Sequence, residues 1–208
     1  MENVEIRAGI ESVEDGFKGK LTVNTKVAFF TGPATSGKNY TIYFDNVVHA
    51  KFITLQRMKE NVNLEINEIT YSRARVSSSH GQVYLPEYAI DGKISRNDTH
   101  FYHSNRENYP WFELEILERY VTGVIVVPRT SCCEERFRNI EIRAGMSSVA
   151  YRSQGNLTLN TRVAFFTGPA TPGQNYTINF DKTVLAKYIT LQRMEEYCRL
   201  EINEVVLF

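Results

Sequence analysis

Residues Asn3 to Glu68 recur from Asn139 to Glu204 at a constant offset of 136, without a gap. Asn-x-Glu-Ile-Arg-Ala-Gly stands at Asn3 and Asn139, and Val-Ala-Phe-Phe-Thr-Gly-Pro-Ala-Thr at Val27 and Val163. Ile-Thr-Leu-Gln-Arg-Met begins at Ile53 and Ile189, and Leu-Glu-Ile-Asn-Glu at Leu64 and Leu200. The similar segment is about half as long as the period, so the period is the expected domain. On that reading residues 73–208 form one complete domain and residues 1–72 the C-terminal half of another copy. Met1 is then expected to lie inside a longer tandem array.

Local patterns within the repeat read as strands. Leu157 to Phe166, Tyr176 to Phe180, Tyr188 to Met194 and Leu200 to Phe208 are rich in Val, Ile, Thr, Phe and Tyr with alternating apolar positions. Gly168-Pro169 and Pro172-Gly173 punctuate them. Helical periodicity is absent apart from a turn expected near Pro86 to Ile90. The fold class expected is therefore all-β, a sandwich or jelly roll.

Composition removes several function classes. Lys and Arg number 24, as do Asp and Glu, so the chain lacks the basic excess of a nucleic-acid or anionic-membrane partner. No apolar run approaches the roughly 18 residues that span a bilayer, which argues against membrane insertion. Met1 to Arg7 does not read as a secretory leader. Four Asn-x-Ser/Thr sequons, at Asn39, Asn97, Asn156 and Asn175, point instead to an extracellular protein. Gly32 to Asn39 mimics a phosphate-binding loop, but Asn39 replaces the Ser/Thr that would reach magnesium and no helix pattern follows, so a β-turn is expected.

The middle, Ser72 to Arg136, occurs once. It runs through a polar Ser77-Ser78-Ser79-His80-Gly81 loop, the turn pair Asp91-Gly92, Phe101-Tyr102-His103 and Pro110-Trp111-Phe112. The buried-looking strand Val124 to Val127 then delivers Arg129-Thr130-Ser131-Cys132-Cys133-Glu134-Glu135-Arg136. Adjacent Cα atoms lie about 3.80 Å apart, whereas disulfides usually want roughly 4.4 to 6.8 Å. A Cys132-Cys133 disulfide would therefore be strained, and a rigid apolar platform of that kind is tolerated where it functions. Two reduced, half-buried thiols are the other reading. Cys198 is odd and completes neither a disulfide framework nor a zinc-ligand set. His103, Arg129 and Arg136 offer hydrogen-bond donors on either side of an apolar surface, which suits a neutral, hydroxyl-rich ligand.

Together, Phe101-Tyr102-His103, Pro110-Trp111-Phe112, Arg129-x-Ser131-Cys132-Cys133-x-x-Arg136 and Glu141-Ile142-Arg143-Ala144-Gly145 resemble the F-type lectin (fucolectin) domain. The resemblance covers residues 73–208 and, for its C-terminal half, residues 1–72. It implies a discoidin-like β jelly roll that binds L-fucose in cell-surface glycans and performs no catalysis. His103, Arg129 and Arg136 would hydrogen-bond the sugar, and a Cys132-Cys133 disulfide would contact its ring. Phe101, Tyr102 and His80 would supply apolar or rim contacts. It further implies a structural calcium held by loop carbonyls, Asp91 and Glu204, hard oxygen donors of the kind calcium takes.

Several positions depart from the family. Ser131 stands where an Asp is usual, which removes a carboxylate that would orient an arginine, and the 25 residues between His103 and Arg129 are one short of the family spacing. Asn203 replaces a cysteine of an interstrand bridge, and Lys93 falls where a neutral calcium ligand is usual. These support a rival reading, a discoidin-like module that has lost sugar binding and contacts protein or lipid. An accessory carbohydrate-binding domain from a larger glycosidase is the other rival. No nucleophile–base pair or paired acid/base carboxylates can be identified, so an enzyme is not expected. A half-domain with one uncovered sheet face is expected to promote self-association.

Overall fold

The computed structural model describes residues 1–11, 22, 24–38, 40, 42, 44, 50, 52–59, 63–66, 72–150, 157–171 and 173–208. Asn39, Asn156 and Pro172 lie outside these residues. The chain divides into two units, Met1–Ile69 and Thr70–Phe208. No helix among the described residues is long and apolar enough to cross a membrane.

In the first unit, β1 (Val4–Gly9), β2 (Thr25–Phe30) and β3 (Phe52–Arg57) form an antiparallel sheet in the order β2-β1-β3. Alternation along β1 buries Val4, Ile6 and Ala8 against Val27 and Ala28. After β2, the described part of the stretch read from sequence as a β-turn closes with Lys38 N–H on Thr35 O, and no helix follows among the described residues.

The second unit contains β4 (Ser72–Val76), a short 3-10 turn over Pro86–Ile90, β5 (Tyr102–His103), β6 (Trp111–Pro128), β7 (Ile140–Gly145), β8 (Thr161–Phe166), β9 (Tyr176–Arg193) and β10 (Glu201–Leu207). A second 3-10 turn, Glu134–Arg136, follows β6. The hydrogen-bonded order is β5-β10-β6-β9-β7-β8, with β4 also on β6.

Two strands of 18 residues, β6 and β9, turn this single ladder into two layers. Their mutual register shifts between Glu115 and Arg119 and again between Val121 and Gly123, and bulges of this kind bend a strand and increase its twist. Before the bend, β6 pairs with β4 and with Tyr188 to Gln192 of β9, which continues to β7 and β8. After it, β6 pairs with β10 and with Tyr176 to Asn179. A Cβ on Gly123 would come within 2.3 Å of the Phe208 ring and 2.8 Å of Ile178 O, so only glycine lets the last residue close over the bend. The sequence suggested separate strands at Tyr176 to Phe180 and Tyr188 to Met194. They are one strand because the exposed Asp181-Lys182-Thr183 stretch is the bend, not a loop.

Between the layers lie Tyr102, Phe112, Leu114, Val124, Val126, Ile140, Ile142, Ile189, Leu191 and Ile202, all buried. Their removal from water is the main force holding the sandwich closed. The two units share details of strand pairing. Val4 faces Phe30 as Ile140 faces Phe166, and Arg7 Nε meets Glu5 at 2.6 Å as Arg143 Nε meets Glu141 at 2.6 Å.

Candidate functional site

The site forms at one end of the second unit, where β5, the end of β6, the turn after it and the start of β10 meet. β5 pairs with β10 so that His103 lies opposite Glu201. β6 ends at Pro128 and presents Arg129, and the turn after it carries Arg136.

Glu201 organises the cluster, although nothing in the sequence analysis singled it out. His103 Nε2 lies 2.8 Å from Glu201 Oε1, and Nη1 of both Arg129 and Arg136 lies 3.2 Å from the same oxygen. The carboxylate is 3% exposed. Burial alone would raise its pKa, but the His103 hydrogen bond and the charges of His103, Arg136 and Arg129 hold it below the usual glutamate value. A buried carboxylate with several cationic donors is stable as the anion, so it fixes all three donors from one point.

Each donor is also held from a second side. His103 Nδ1 donates to Ser104 O at 2.7 Å. Arg129 Nε donates to Ser131 Oγ at 2.8 Å and its Nη2 reaches Asp98 Oδ1 at 3.2 Å, while the Phe101 ring lies 4.5 Å below the guanidinium carbon. The orienting role that the missing Asp would have filled is thus shared by the Ser131 hydroxyl and the Asp98 carboxylate. Ser131 first, and then Arg129, holds the Asp98 carboxyl below its ordinary range.

Between the arginines, the sulfurs of Cys132 and Cys133 are paired across Cα atoms 3.8 Å apart, and both residues are half-buried. Cys133 has φ +64°, a left-handed conformation uncommon outside glycine and asparagine. It starts the turn in which Arg136 N–H bonds Cys133 O at 3.0 Å. The backbone that shapes the sulfur platform therefore also aims Arg136.

The remaining expected residues divide. His80 is exposed, with its ring 4.8 Å from that of His103 and its N–H on His103 O at 2.8 Å. Tyr84, half-buried, stacks at 5.0 Å on the same histidine and is an aromatic wall the sequence reading missed. Phe101 is buried beneath Arg129 and supports it from below. Tyr102 corrects the expectation of a rim contact. Strand alternation turns it inward, where it is fully buried against Phe112 and its hydroxyl bonds Ser78 O at 3.0 Å.

Asp91 and Glu204 lie together at the loop below. Glu204 Oε2 accepts the Gly92 N–H at 3.0 Å, and Asp91 accepts the Lys93 N–H and His100 Nε2 at 2.9 and 2.8 Å. Burial first, then the negative charge of Asp91, pushes Glu204 up to about 7. Two hard carboxylates that resist being charged together fit a divalent cation in donor chemistry. No group of three or more His, Cys, Asp or Glu converges among the described residues, so any further donors would be backbone carbonyls, side-chain amides or hydroxyls, or water.

Asn203 supplies what the absent bridge cysteine cannot. Its side chain accepts from Ser95 N at 3.0 Å and donates to Ser95 O at 2.6 Å, tying the 95–98 loop to β10. Cys198 is a buried free thiol on Glu195 O, its pKa raised by burial.

A family model described as F5/8 type C domain matches residues 73–205. Fucolectin-1 of Anguilla japonica is 26% identical over 129 residues, which is 59% of this chain and 69% of that protein. Among solved structures, a fucolectin from striped bass (Morone saxatilis) serum superposes with a TM-score of 0.56 at 21% identity, covering 99% of this chain and 71% of its own. A Streptococcus pneumoniae fucose binding module gives a TM-score of 0.52 at 17% identity over 66% of this chain and 93% of its own. At these identities the two structures share the fold.

Proposed function

The chain belongs to the F5/8 type C domain family, and from that premise we propose that it is a non-catalytic lectin whose site in residues 73–208 binds glycans carrying L-fucose. The observation that carries this reading is the convergence of His103, Arg129 and Arg136 on the buried Glu201 beside the paired sulfurs. The N–H groups that Arg129 and Arg136 do not spend on Glu201 suit the ring oxygen and hydroxyls of a sugar, while His103, its ring nitrogens on Ser104 O and Glu201, holds the carboxylate that places them. The Cys132–Cys133 disulfide would present its apolar face to a C–H or methyl face of the ring, and His80 and Tyr84 would stand at the rim. The fucolectin and fucose-binding-module relatives support fucose among sugars.

Asp91 and Glu204 would hold a structural calcium, whose double charge would let both carboxylates ionise and so fix the loop that leads to Ser95 and Asp98. Fucosylated glycans or glycoproteins outside the cell are the partners, consistent with exposed sequons at Asn97 and Asn175. Titration calorimetry of the oxidised protein against L-fucose and D-mannose, followed by a glycan array, tests the reading. Saturable L-fucose binding is expected, and none on either platform would overturn it.

A further inference from the structure

We infer that Asp98 sets the charge selectivity of this site: its carboxylate, held on Arg129, stands where an acidic substituent of a glycan would dock, so neutral fucosides are accepted and sulfated ones rejected. The inference rests on the fucose reading above. Arginine has five N–H donors. Three of those on Arg129 are spent on Ser131, Glu201 and Asp98, and Phe101 covers one face of its plane.

These partners differ in accessibility. Glu201 is 3% exposed and is held by His103 and both arginines, so no ligand can take its place. The Asp98 side chain is 75% exposed and meets Arg129 from the solvent side. Arg136 is 39% exposed beside it in the cluster, and Arg199 brings a third guanidinium to 3.5 Å from His103 Nε2. Three guanidinium groups against the single buried Glu201 would make a good anion site, because guanidinium forks match sulfate and carboxylate. Asp98 already places a negative charge on the outward-facing Nη2 of Arg129, and like charges brought together at an interface select against the wrong partner. Ser131 permits this, because its hydroxyl takes the Arg129 Nε and leaves the outer side of the guanidinium to Asp98.

The test titrates the full chain and its Asp98→Asn variant with methyl α-L-fucoside and with the same fucoside sulfated at O2, O3 or O4. In the unsubstituted chain the neutral fucoside should bind more than about tenfold tighter than each sulfate. In Asp98→Asn, of the same shape but uncharged, the preference over at least one sulfate should collapse to about unity. A preference unchanged in Asp98→Asn for all three sulfates overturns the inference while leaving fucose binding intact. Absence of binding to the neutral fucoside by the unsubstituted chain overturns the functional reading, and this inference with it.

Discussion

His103 Nε2 lies 2.8 Å from Glu201 Oε1, with both side chains at least 96% removed from solvent. The same oxygen receives Arg129 and Arg136. One buried atom of β10 therefore joins β5 to the end of β6 and the turn that directly follows it, all remote from β10 in sequence. The spacing of the donors is set by where β10 places this carboxylate, more than by the loop that carries the arginines.

Replacing Glu201 should thus act on all three donors. Glu201→Gln keeps the shape but removes the charge they share, and loss of one partner from a buried ion cluster costs about 3–5 kcal/mol. The expected result is a lower melting temperature together with lost L-fucose binding. The pKa of Glu201 is lowered by its partners, so its contribution is complete above the ordinary glutamate pKa and is lost as pH falls through the lowered native value. Binding by the unsubstituted chain should accordingly persist through pH 5. Normal affinity in Glu201→Gln would show that the donors are placed independently of it.

Arg136 is a cleaner probe of the ligand contact. With 39% of its side chain exposed against 14% for Arg129, it can be truncated with less disturbance to the fold. Arg136→Ala should weaken L-fucose by about 1.5–3 kcal/mol, the worth of charged hydrogen bonds, with a smaller fall in melting temperature than Glu201→Gln, since His103 and Arg129 still hold the carboxylate. Calorimetry and thermal denaturation on the same sample separate the two effects. Unaltered affinity would remove Arg136 from the site.

Much of this was legible in the sequence because the motif residues carry unusual chemistry. His103, Arg129, Arg136 and the cysteine pair stand out by type and spacing. Glu201 did not, since it reads as one more residue of the repeated Leu-Glu-Ile-Asn-Glu strand, and its counterpart Glu65 is exposed. The difference lies in the unrepeated middle, which supplies cations to one copy. Asp98 was hidden for a similar reason. It sits inside a sequon and a turn, and only the Asn203–Ser95 clamp shows why that turn stands at the site. Tyr102 was misjudged because the resemblance named it by position alone, whereas neighbours on a strand point to opposite faces.

Glu204 allows calcium to be tested by pH as well as by chelation. Its pKa is raised to about 7, so between the ordinary glutamate value and 7 the native state binds more protons than the unfolded chain. Stability should then fall as pH rises through that window. Calcium, by favouring the ionised form, should restore it at pH 8 and have little effect at pH 5. Melting curves at both pH values, with chelator and with calcium, measure this. Glu204→Gln should flatten the pH dependence and abolish the calcium response. Identical curves at pH 8 with and without calcium would exclude the ion from the Asp91–Glu204 pair.

The last prediction concerns the repeat. In β9, Tyr188 to Gln192 is flanked by β7 on one side and β6 on the other, and Ile189 is fully buried. The corresponding Ile53 of β3 is 46% exposed. Apolar sheet surface of this kind favours association. The segment's close similarity to residues 138–208 also gives it a ready partner, the Ser72 to Arg136 portion of another molecule. Within one chain that portion is already taken by the downstream copy, to which it is joined through Phe137 without long loop closure. A chain trimmed to residues 73–208 is therefore expected to be monomeric and to bind fucose fully, whereas residues 1–208 should self-associate as concentration rises. Sedimentation of both, with limited proteolysis of the longer one, decides the point: a concentration-independent monomer whose residues 1–72 resist protease would mean that the first unit covers its own apolar face.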